Sequence, residues 1–92
     1  MNQIDEAVAV CAYYNWLDRV RQNVSGTADD DWFRAEAHFG LTLESVVEQA
    51  KIHFAKRSRF HYTGTPESDW RDARNTLFYE RKVQLAQQRL SA

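Results

Sequence analysis

The chain carries GTADDDW at Gly26–Trp32 and, 38 residues later, GTPESDW at Gly64–Trp70. At the same offset the segments 6–35 and 44–73 share ten identical residues, among them Arg19 and Arg57. A repeat of this period is typical of folds built from copies of one supersecondary unit. The sequence therefore predicts two copies of one unit, over about residues 2–40 and 41–92.

The composition favours helix in every segment. Ala, Gln, Glu, Arg and Leu are frequent, there is a single Pro, and no stretch alternates apolar and polar residues as a strand does. We predict four helices, over about residues 3–21, 27–39, 42–58 and 66–90. The last is much longer than its counterpart, and its part after Arg81 is expected to fray, to fold back, or to pair with another copy.

Each copy is thus predicted to be a helix-loop-helix unit that cannot bury its apolar face alone. Two such units would stack into an all-α, compact four-helix domain with one shared core. A chain of 92 residues is expected to form a single domain, over 1–92.

The repeated motif has a structural interpretation. Thr27 and Thr65 are predicted N-caps, and the glycine before each is expected to let the loop turn sharply. Asp31 and Asp69 are predicted to stabilise the helix start and to reach Arg19 and Arg57 of the same unit. Large aromatic residues at matching positions are predicted core anchors: Trp16, Trp32, Phe54 and Trp70.

Charge is distributed unevenly along the chain. Residues 1–46 have a net charge of −5 and residues 47–92 a net charge of +4. This asymmetry indicates either that the two units attract each other or that they face different partners. The single cysteine and the lack of a signal-like start or a long apolar run favour a reducing cytoplasm over a membrane.

No residue pattern favours catalysis or a cofactor. The three histidines have no spacing typical of a metal site, and Cys11 lies in an apolar stretch without a neighbouring base. No glycine-rich phosphate loop occurs, and the run Asp29–Asp31 is typical of a solvated helix start. We therefore predict no catalytic, cofactor-binding or metal-binding residues.

Segment 51–62 is the sharpest candidate for binding, because it has four permanent positive charges, no acid and interleaved aromatics. Such residues bind phosphates and stack on bases, but they are also typical of a solvated helix face with Phe54 in the core. They suit an acidic protein surface as well, such as the first unit of a neighbouring chain. The candidate partner-binding residues are Lys51, Lys56, Arg57, Arg59, Arg71, Arg74 and Arg81.

The first unit resembles a short bacterial family of unknown function that pairs an Ala-Tyr-x-x-Trp helix with a later Gly and an Asp-Trp-x-x-Ala-Glu helix. The matching residues are Ala12, Tyr13, Trp16, Gly26, Asp31, Trp32, Ala35 and Glu36. The second unit is similar to a diverged copy, since Lys51, Phe54 and Arg74 replace the Tyr, the Trp and the Glu. The resemblance implies a bacterial, cytoplasmic, helical protein and lends no activity.

The sequence favours a small, non-enzymatic protein–protein interaction or adaptor protein that self-associates. The alternative is a nucleic-acid-binding regulator that uses segment 51–62 and the start of the last helix. A small-ligand pocket between the two aromatic-rich helix-loop-helix units is a third possibility, without a polar constellation to support it.

Overall fold

A computed structural model describes residues 2–91 of the chain and, within them, consists of four α-helices without strands. The helices are α1 (Gln3–Arg21), α2 (Ala28–His38), α3 (Leu43–Arg59) and α4 (Pro66–Ser91). The chain divides into two compact units, Met1–Phe39 and Gly40–Ala92, in which α1 packs on α2 and α3 packs on α4. The predicted all-α class and the two helix-loop-helix units are confirmed, and we call them unit 1 and unit 2.

The predicted N-caps are in place. Thr27 Oγ1 accepts a hydrogen bond from Asp30 N–H at 3.1 Å, and the Asp30 carboxylate accepts one from Thr27 N–H at 3.0 Å. Thr65 and Ser68 make the same reciprocal pair, at 3.1 and 2.9 Å. Thr42 Oγ1 caps α3 by accepting from Ser45 N–H at 3.2 Å. These bonds satisfy amide groups that have no partner within their helix.

The first helix of each unit ends in the same left-handed turn. Asn23 has a φ of 56°, and the N–H of Val24 donates to the carbonyl of Arg19 at 2.9 Å. His61 repeats the turn with a φ of 57° and a matching 2.9 Å bond between positions 62 and 57. This is the Schellman arrangement that satisfies the last carbonyls of a helix. Gly40, predicted to close α2, has a φ of 73°.

An arginine–aspartate ion pair ties the two helices of each unit together. Arg19 donates from Nε to Asp31 Oδ1 at 3.1 Å and from Nη2 to Oδ2 at 2.9 Å. Arg57 and Asp69 repeat this geometry at 3.1 and 2.8 Å. Both aspartates are buried, and the paired parallel bonds fix the arginine fork against the carboxylate. The predicted reach of each aspartate is confirmed, and we call each pair the Arg–Asp tie.

The glycine of each motif makes room for the arginine of the tie. A Cβ at Gly26 would lie 2.9 Å from Arg19 Cδ, and a Cβ at Gly64 would overlap Arg57 Cδ. Neither glycine has the positive φ that would require it for a turn. The expectation of a glycine-dependent sharp turn is therefore wrong, because the constraint is space.

Each unit buries a small set of apolar residues. They are Ile4, Val8 and Ala35 in unit 1 and Leu41, Val46, Ala73 and Phe78 in unit 2. Val8 and Val46, like Ala35 and Ala73, occupy equivalent repeat positions, so the two units bury the same part of the motif.

None of the four predicted aromatic anchors is fully buried. Trp16, Phe54 and Trp70 keep 43%, 55% and 40% of their surface exposed, and Trp32 is partly buried. Successive helix residues point about 100° apart, so the inward position taken by Asp69 leaves Trp70 at the rim. Each helix also packs on only one other helix of its unit, which covers a narrow stripe.

The end of α4 extends past its partner helix, since α4 has 26 residues and α3 has 17. Residues 82–90 continue the helix with mostly exposed side chains, and Leu90 is among the most exposed. The expected folding back is therefore wrong for these residues, whereas fraying stays a prediction. Pairing of this segment with another copy stays a prediction.

We expect Gly64→Ala to lower the free energy of unfolding by about 1–3 kcal/mol, the usual cost of overpacking, because the new methyl group would displace Arg57. In an Arg57→Ala background the same substitution should cost less, since the new methyl group would then meet the Ser68 hydroxyl, at 3.0 Å. Urea denaturation of the four variants gives the coupling between the two positions.

The neighbouring exposed residue Thr63 provides the control, because Thr63→Ala should change the free energy of unfolding by no more than about 0.5 kcal/mol. If Gly64→Ala lowered the free energy of unfolding equally in both backgrounds, the glycine would be required by the backbone conformation and not by the space that Arg57 occupies.

Candidate protein-binding surface

An open apolar groove lies between α3 and α4 of unit 2. Its volume is about 310 Å³, and we call it the α3–α4 groove. Its lining residues are Val47, Ala50, Lys51, Phe54, Pro66, Asp69 and Trp70. Five of these are apolar or aromatic, so the groove is suited to an apolar side chain from outside the unit.

The two ionisable groups of the groove differ in their availability. Asp69 is held by Arg57, whose hydrogen bonds lower the pKa of the Asp69 carboxyl against the opposing effect of burial. Lys51 lies at the rim with 69% of its side chain exposed, and its Nζ is 3.2 Å from the equally exposed Glu48 carboxylate. Exposed pairs of this kind contribute little, so Lys51 can exchange partners.

The groove lies at positions where the two copies differ. In unit 1 the residues equivalent to Lys51 and Phe54 are Tyr13 and Trp16, whose ring centroids are 5.9 Å apart. Unit 2 replaces this aromatic pair with one smaller ring and one flexible cation. The change provides a cation at the rim of an apolar recess.

Of the four predicted basic residues in α3, three remain available to a partner, namely Lys51 at the groove rim and two residues nearer the helix end. Arg57 is engaged in the Arg–Asp tie and mostly buried, so its assignment to partner binding is wrong. Lys56 and Arg59 are exposed, and the guanidinium of Arg59 lies 5.6 Å from the centroid of the Phe60 ring.

The predicted basic residues of α4 are spread along that helix. Arg71 is exposed and lies 3.7 Å from the Asp72 carboxylate, Arg74 is partly buried, and Arg81 donates to Gln84 at 3.3 Å. Arg71 and Arg81 are ten residues apart on one helix, which corresponds to about 15 Å. These three residues therefore do not form one cluster along α4.

Large apolar side chains are widely exposed. Among residues 2–91, sixteen large apolar or aromatic side chains keep at least 40% of their surface exposed, whereas seven apolar residues are buried. Exposed apolar residues that are scattered singly are ordinary, whereas apolar residues grouped around a recess, as Phe54 and Trp70 are, are typical of interaction surfaces.

The sequence prediction missed the groove because it assigned Phe54 and Trp70 to the core. The signal that could have found it is Lys51, a charged residue at the repeat position where unit 1 has the ring of Tyr13.

The described residues outside the groove offer few groups for catalysis or metal binding. Burial raises the pKa of the Cys11 thiol, which disfavours the reactive thiolate. Within residues 2–91, no group of three or more His, Cys, Asp or Glu side chains could hold a metal ion. None of the helices in the described part of the chain is long and apolar enough to cross a membrane.

Comparison of the chain with protein-family models, with curated proteins and with solved structures finds no match. The role of the α3–α4 groove therefore has to follow from the geometry of this chain.

We expect stability to fall in acid because of the two ties. The folded-state pKa values of Asp31 and Asp69 are lowered by their arginines, so this contribution is complete above the unfolded carboxyl pKa of about 3.9 and is lost as the pH falls through the lower folded values. Urea midpoints measured between pH 7 and pH 2 should show the loss below about pH 4.

The double variant Asp31→Asn with Asp69→Asn should be less stable than the wild type at pH 7, and its urea midpoint should change less between pH 4 and pH 2. Asp29→Asn is the matched control, because Asp29 is an exposed carboxylate in the same helix turn as Asp31. Parallel pH curves for the wild type and the double variant would contradict the role of the ties.

Proposed function

We propose that this chain is a small, non-enzymatic protein–protein interaction or adaptor module that binds its partner in the α3–α4 groove and self-associates. The observation that carries the proposal is the apolar groove with the cation Lys51 at its rim. The resemblance of unit 1 and the single cysteine support a bacterial, cytoplasmic protein.

The chemistry of the groove favours a polypeptide as its occupant. Val47, Ala50, Phe54 and Trp70 offer apolar contact, while the Asp69 carboxylate is already paired with Arg57. A protein segment with an apolar anchor and a nearby acid would match the groove and Lys51 together. Aromatic residues in such recesses commonly contribute most of the binding energy of an interface.

We expect the full-length wild-type chain, immobilised and exposed to lysate of its host, to retain a defined protein that Phe54→Glu no longer retains. The substitution places a negative charge on the groove wall, where it weakens apolar contact and repels an acidic partner. Mass spectrometry of the eluates identifies the retained protein, and circular dichroism checks that the helices persist.

Phe60→Glu is the matched control, since Phe60 is exposed to the same extent, 56% against 55%, and does not line the groove. It should retain the same protein as the wild type. Equal retention by all three chains, or retention of nothing by the wild type, would rule the groove out as the binding site of a host protein.

Nucleic-acid binding is the second candidate, supported by the end of α3. Phe60 and Tyr62 are exposed with ring centroids 5.9 Å apart, and Lys56 and Arg59 are exposed nearby in sequence. Exposed rings beside cations can stack on bases and contact phosphates. This candidate is weaker, because Arg57 is engaged in its tie and the chain has a net charge of −1.

If the end of α3 binds nucleic acid, the wild type should shift labelled single-stranded DNA or RNA at low salt, with affinity that falls as salt rises. The double variant Lys56→Gln with Arg59→Gln should lose this binding, whereas Phe54→Glu should change it less. Fluorescence anisotropy over a salt series measures both, and no anisotropy change at low salt would exclude this function.

A further inference from the structure

The outer face of α2 in unit 1 has chemistry that complements the α3–α4 groove. Phe33 is 63% exposed, and Asp29, Asp30 and Ala37 are exposed beside it. Positions 29, 33 and 37 share one helix face because they are spaced by four residues. The face therefore presents one aromatic side chain among carboxylates, and we call it the Phe33 face.

The charges of the two units support the same pairing. Unit 1 contains three basic and seven acidic residues, and unit 2 contains nine basic and six acidic residues. The net charges are −4 and +3, so unit 1 of one copy is attracted to unit 2 of another. Asp29 presents an exposed carboxylate, and Lys51 is engaged with the exposed Glu48 in a pair that solvent weakens.

We propose that the chain self-associates head to tail, with the Phe33 face of one copy docked in the α3–α4 groove of the next. This inference rests on the proposed function, since it names a second copy as an occupant of the same groove. Phe33 enters between Phe54 and Trp70, and the acids beside it lie near Lys51.

The two surfaces differ, so a docked pair still presents one free Phe33 face and one free groove. Contacts of this heterologous kind form rings or open chains, and only a closed ring limits the number of copies. The expected mass therefore rises beyond that of a dimer as the concentration rises, and it falls as salt screens the charges.

The test is analytical ultracentrifugation of full-length chains up to roughly 1 mM, the weak end of specific association. The wild type should associate, and Phe33→Ser and Phe54→Glu should each be monomeric over the same range. An equimolar mixture of the two variants should form a 1:1 dimer and nothing larger, because each supplies the one surface that the other lacks.

Val10→Ser is the matched control for Phe33→Ser, since Val10 is 58% exposed on α1 of the same unit. It should associate as the wild type does. A monomeric wild type, a Phe33→Ser variant that associates like the wild type, or a mixture that stays monomeric would each overturn the proposal.

The outcomes also separate this inference from the proposed function. A monomeric wild type that still retains a host protein through Phe54 overturns head-to-tail docking and leaves the interaction module standing. A wild type that neither associates nor retains a protein overturns both.

Discussion

The bidentate ion pair between an arginine near the end of one helix and a buried aspartate near the start of the next holds each unit together. It joins the two helices across their loop in both copies, with nearly identical distances. Because the arginine passes over the loop, the loop needs a glycine at that point. Because the aspartate takes the inward position, the neighbouring tryptophan lies at the rim. A buried charge of this kind persists only when it is paired.

The differences between the units explain the candidate surface better than their similarities do. Both keep the tie, the capped helix start and the small buried residues Ala35 and Ala73. Unit 2 replaces Tyr13 and Trp16 of unit 1 with Lys51 and Phe54, and its last helix extends beyond α3. These changes leave the internal contacts of the motif intact and alter what the unit presents to other molecules.

Much of the fold could be predicted, because its signals are local. Threonine before a helical stretch predicts a helix start, because its side-chain oxygen can cap a backbone amide, as Thr27, Thr42 and Thr65 do. Glycine after such a stretch predicts a helix end, because it adopts a positive φ easily, as Gly40 does. The candidate site could be predicted less well from the sequence. Lys56 and Arg57 are neighbouring basic residues of one segment, yet Arg57 is paired with Asp69 in the Arg–Asp tie whereas Lys56 is exposed. Residue type and spacing alone do not separate them.

The sequence by itself determined the repeat, the helices, their caps and the partners of the tie, since each depends on residues at fixed short separations along the chain. Only the tertiary structure decided which side of each helix is covered. That outcome depends on where the partner helix lies, and it turned Trp70 and Phe54 from expected core anchors into walls of a groove. The tertiary structure also explains why Gly26 and Gly64 are glycines. A larger residue at either position would clash with the arginine seven positions earlier, whose side chain lies over the loop.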